Sequence, residues 1–181
     1  MITKSLFVER YQFPSMRNIS EIVKQVLIPM FYKESQVARS LRKKDKEFNN
    51  ALFISINKLR GKADNNTLKN EDIRNEIAKL SEKTGASIGQ SQKVVNVYLK
   101  YYCILINKPE EIIRELDCPL DSGIISKFGK GYEKMIRLRD MDFNRYVEFQ
   151  NRLEQEGNGI RLKPDIETYD ERRIKKFLGI V

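Results

Sequence analysis

Apolar positions recur along the chain at intervals of three and four, the period of a helix with one buried face, and no stretch alternates with period two. Ile19, Ile22, Val23, Val26, Leu27 and Met30 form a first such stripe, opened by Asn18 or Ser20 and kinked or ended by Pro29. A second helix over about 34–60 carries Val37, Leu41, Phe48, Leu52, Ile56 and Leu59, and Gly61 is expected to stop it. Asn70 is placed to cap a third, with Ile73, Ile77 and Leu80 on its buried edge and Gly85 supplying the left-handed residue at its end.

The fourth helix, about 89–107, differs in kind. Its run from Val94 to Ile106 is apolar on nearly every side, which predicts an interior rod covered by other helices. Lys93 is a charge at the mouth of that rod, and Gly89, Lys93, Asn96, Lys100 and Asn107 fall in one narrow stripe. The stripe reads either as an exposed edge or as a set of partners for carboxylates such as Glu111 or Glu115.

Pro109 opens a short helix over 109–116, and Asp121 is a cap for another over 122–128. After a Gly129-Lys130-Gly131 turn, Phe143, Tyr146, Val147, Gln150 and Leu153 predict a helix over about 141–156, closed by Gly157-Asn158-Gly159. Residues 160–167, with Pro164, read as loop, and Thr168-x-x-Glu171 reads as a capping box before a last helix bearing Ile174, Phe177 and Leu178. The expectation is an all-α protein, one domain over 1–181, with seven to eight helices around the buried 89–107 helix.

Composition narrows the chemistry. The chain has 181 residues, no histidine and two cysteines, Cys103 and Cys118, both in or beside the apolar segment. A structural zinc site wants about four ligands, so no metal or other cofactor is expected and the thiols read as reduced core residues. Without histidine, acid–base work falls to carboxylate, lysine or tyrosine. No apolar run reaches the ~20 residues of a membrane span, and the N-terminal residues lack the apolar stretch of a secretory signal, so a cytoplasmic protein with no membrane partner is expected.

The formal charge is +9, and residues 33–62 hold nine basic side chains against three acidic ones. Such a helical face neutralises phosphates and releases counterions from a polyanion, which points to nucleic acid as the partner. Arg39, Arg42, Lys43 and Lys46, off the apolar seam, would carry that binding. The same residues also suit an ordinary solvated face.

Two glycines framing a tight turn (Gly85 and Gly89), a lysine near the start of the next helix (Lys93) and a Pro119-Leu120-Asp121 turn together resemble the helix-hairpin-helix DNA glycosylase and lyase superfamily over about 37 of the 181 residues. The resemblance implies DNA as the partner, Lys93 as an amine nucleophile whose pKa falls with desolvation, and Asp121 as the carboxylate that takes or holds a proton. On residue chemistry alone, Asp121 is equally a helix cap, and Lys93 a side chain that snorkels to the surface. Two functions follow: a nucleic-acid-binding helical protein coupled to base-excision or lyase chemistry, and an interaction module that binds another protein through a helical face without catalysis.

Overall fold

The computed structural model describes residues 46–128 and 137–168. The first expected helix, the N-terminal part of the second, Arg39, Arg42 and Lys43, the 129–131 turn and the last expected helix lie outside those residues. Within them the protein is all-α: α1 (Lys46–Asp64), α2 (Asn70–Thr84), α3 (Ile88–Leu105), α4 (Glu110–Glu115), α5 (Ser122–Phe128), a 3-10 turn (Leu138–Asp140), α6 (Phe143–Glu156) and α7 (Lys163–Thr168).

The central rod is α3. Val94, Val95, Val97, Tyr98, Leu99, Tyr101, Tyr102 and Cys103 are all buried in it, and it packs against α1, α2, α4, α6 and the 3-10 turn. Phe48, Leu52, Ile56 and Leu59 of α1 and Ile73, Ile77 and Leu80 of α2 meet it with the stripes their spacing predicts. Its start is fixed by a capping box at Ser87, whose hydroxyl accepts from Gln90 N at 3.2 Å while Gln90 Oε1 accepts from Ser87 N at 3.0 Å.

Several boundaries depart from expectation, each for a local reason. Gly61 does not end α1, which runs on to Asp64. The stop is Asn66, left-handed at φ 55°, with Thr67 N bonded to Lys62 O and Asn66 N to Ala63 O. Asn107 and Asn158 close α3 and α6 with the same paired bonds, so asparagine does at three ends what Gly85 does, at φ 68°, after α2.

Asn70 is not a cap. Lys69 holds the N-cap position of α2, its backbone N–H donating to Asp72 Oδ2 at 3.1 Å, and Asn70 turns its amide outward to Glu115 O and Asp117 Oδ1. Glu115 instead accepts from Asn70 N at 2.9 Å, putting a carboxylate at the positive end of α2. The expected 160–167 loop contains α7, where Pro164 sits in the first turn and removes a donor that a helix start leaves unpaired.

Candidate functional site

The segment between α4 and α5, residues 116–121, has no regular structure, yet residues 116–120 are buried. Buried main chain needs hydrogen-bond partners, and two fully enclosed glutamines supply them. Gln150 of α6 accepts from Cys118 N at 2.8 Å and donates to Cys118 O at 2.7 Å. Gln92 of α3 accepts from Leu120 N at 3.1 Å and donates to Leu120 O at 2.9 Å. Each amide thus grips a peptide as a neighbouring strand would, on alternate residues, and the segment is clamped between two helices.

Clamping Leu120 delivers Asp121 to α3. Lys93 Nζ lies 3.0 Å from Asp121 Oδ2, with side-chain exposures of 12 % and 22 %. The two residues expected to act together are therefore in contact across the 28 positions that separate them. Asp121 is also the cap expected of it, because its Oδ1 accepts from Ile124 N at 3.0 Å at the start of α5. One carboxylate holds both a helix end and the lysine, and both groups retain a share of solvent contact.

The rest of the polar stripe is not an exposed edge. Asn96 and Lys100 are buried, and Lys100 Nζ pairs with Asp165 Oδ2 of α7 at 2.9 Å rather than with Glu111 or Glu115. Asn107 is exposed and serves the helix end. Asn96 Nδ2 donates to Tyr146 OH at 3.0 Å, and Tyr146 donates in turn to Asp117 Oδ2 at 2.6 Å. Complete burial, with the Asp117 charge beside it, pushes the Tyr146 phenol well above its ordinary pKa.

Asp117 is the hub behind the clamped segment. It accepts from Asn70 Nδ2 at 2.7 Å and from Arg74 through both Nε and Nη2 at 3.1 and 3.3 Å, and it faces Arg161 Nε at 3.6 Å. Sequence reasoning did not single out Asp117, Gln92 or the arginines. The available signal was polarity in the wrong place: Gln150 falls on the buried stripe of its own helix, where an amide must find partners.

Both cysteines are free and buried. Burial pushes the Cys103 thiol up to about 12 and raises Cys118 well above its ordinary value, so neither is poised as a nucleophile.

Of the basic stretch, α1 contributes Lys46, Lys58, Arg60 and Lys62. Lys58 pairs with Glu76 and Lys62 with Asp72, each at 2.6 Å. The hydrogen bond from Lys62 holds the Asp72 carboxyl below its ordinary pKa, and the bond to Glu76 raises Lys58. These lysines fasten α1 to α2. The described residues hold 19 of the 34 basic and 18 of the 25 acidic side chains, so +1 of the +9 resides there and +8 elsewhere in the chain.

No helix among the described residues is long and apolar enough to cross a membrane. Comparison with protein-family models, with curated proteins and with solved structures returns no match.

Proposed function

We propose that the protein binds nucleic acid, DNA in the first place, and performs base-excision or lyase chemistry with Lys93 as nucleophile and Asp121 as its proton acceptor. The observation that carries this reading is the 3.0 Å contact between a lysine and a carboxylate near the N-terminal end of the central helix, both partly reachable by solvent. An amine against a carboxylate, with no histidine in the chain, is a pair able to generate a nitrogen nucleophile and to recycle its proton.

In the simplest form of the reaction, Asp121 takes a proton from the Lys93 ammonium and the free amine adds to the C1′ aldehyde of an open abasic sugar. The carbinolamine loses its hydroxyl as water, using the proton held by Asp121, and a Schiff base remains. The regenerated carboxylate removes a C2′ proton, the 3′ phosphate departs, and water hydrolyses the imine to restore the amine. No metal or redox partner enters this balance.

Borohydride trapping tests it. Mixed with duplex DNA carrying an abasic site, the native protein is expected to give a covalent adduct that Lys93→Gln abolishes. Asp121→Asn, which keeps the helix cap, is expected to slow trapping by about 100-fold, the scale of one general acid–base group. Absence of adduct with the native protein, under conditions where a known lyase traps, removes the chemical part of the proposal.

A second reading, the interaction module, is favoured by Phe53 and Ile54 of α1, large apolar side chains that are 38 % and 63 % exposed. It expects no affinity for nucleic acid at moderate salt, whereas the nucleic-acid reading expects affinity that falls steeply as salt rises. A gel-shift series over salt concentration separates them.

A further inference from the structure

The 3-10 turn Leu138–Asp140 is seated on the N-terminal end of α3. Ser87 Oγ donates to Leu138 O at 2.9 Å, and a Cβ added at Gly89 would fall 1.9 Å from that same carbonyl. Glycine at 89 is thus what lets a foreign backbone lie directly on the helix. Lys93 follows Gly89 by one turn on the same face, and helical side chains lean toward the N-terminus of their helix. The Lys93 amine, bonded to Asp121, thus belongs to the same face of α3 on which Leu138 rests.

Leu138 is half-buried against the core while its two neighbours, Arg137 and Arg139, are exposed. Arg139 approaches Asp140 only to 3.7 Å, and both side chains are more than half exposed, so water competes for that contact. A pinned backbone fixes where these two arginines start, and their exposed guanidinium groups are planar, bidentate donors of the kind that suits phosphate oxygens.

We propose that Arg137 and Arg139, held by the Leu138 anchor, form a phosphate-binding strap that sets a nucleic-acid backbone across the Lys93–Asp121 pair. The strap rests on the nucleic-acid reading and names where the backbone lies relative to the amine. Its arginines neutralise phosphates flanking the nucleotide that faces Lys93.

The test is a binding series over salt concentration with the full-length protein and a short duplex carrying one abasic-site analogue. Replacing both arginines (R137Q with R139Q) is expected to reduce the slope of log affinity against log salt by about two, roughly one for each phosphate no longer neutralised. R137K with R139K is expected to restore most of the slope. A control that removes the same charge elsewhere, R114Q on α4 with K79Q on α2, is expected to change it by less than half as much.

If the native protein binds but the strap variant keeps the native slope, or the control loses as much, the strap is wrong and nucleic-acid binding stands. If the native protein binds no duplex at low salt, both fall. If it binds only an acidic protein surface, loss of that binding in R137Q with R139Q overturns the nucleic-acid assignment.

Discussion

Asp117 collects donors from four side chains on two helices and the turn that precedes α7: Asn70 and Arg74 of α2, Tyr146 of α6, and Arg161. It is fully enclosed, so its charge is tolerable only while those donors remain. Removing the carboxylate strands Arg74, 16 % exposed, without its carboxylate, while Arg161 keeps Glu154 at 2.9 Å. Asp117→Ala is therefore expected to cost about 3–5 kcal/mol, a large share of the ~5–15 kcal/mol typical of a domain. Urea denaturation measures it, and a loss below about 1 kcal/mol would show that Arg74 finds another partner. Sequence alone hides this residue because Leu116-Asp117-Cys118 reads as ordinary chain. Its partners lie 43 to 47 positions upstream and 29 to 44 downstream, and nothing in local periodicity connects them.

At the scale of the element, the stripes on α1, α2 and α6 and the all-round apolar character of α3 are legible in the sequence, because burial selects residue type at fixed spacing. Helix ends are less legible. Residue type alone suggests a glycine stop at 61 and an asparagine cap at 70, yet the chain uses asparagine at 66, 107 and 158 to end helices and runs through Gly61. The sequence suggests Lys93 and Asp121 as a pair, but it gives no sign of what creates their contact, the grip of Gln92 on Leu120.

Two glycines inside helices allow the element scale to be tested with opposite signs. A Cβ at Gly61 meets nothing within 4 Å, so Gly61→Ala is expected to raise stability by up to about 1 kcal/mol through helix propensity. A Cβ at Gly89 meets Leu138 backbone, so Gly89→Ala is expected to lower it by about 1–3 kcal/mol as the 3-10 turn is pushed away. Thermal melting of the two variants checks both, and a stabilised Gly89→Ala would mean that the turn rests loosely.

For the whole molecule, charge is unevenly distributed. The described residues are almost neutral, at +1, while the rest of the chain carries +8. Lys58 and Lys62 are already matched by carboxylates of α2. If the protein meets a polyanion, the triple replacement of Arg39, Arg42 and Lys43 by glutamine is expected to reduce the salt slope of binding by about three. Replacing Lys58 and Lys62 is expected to change it less, because each already faces an acid. Equal effects from the two sets would argue that the ion pairs between α1 and α2 open on binding.

The two glutamines that hold residues 118 and 120 touch peptide groups and ignore what hangs from them. Identity at those positions is set by the core that encloses Cys118 and Leu120, whereas either amide, once replaced, leaves a peptide dehydrated and unmatched. The aspartate that meets the lysine owes its address to two side chains that take no part in any reaction.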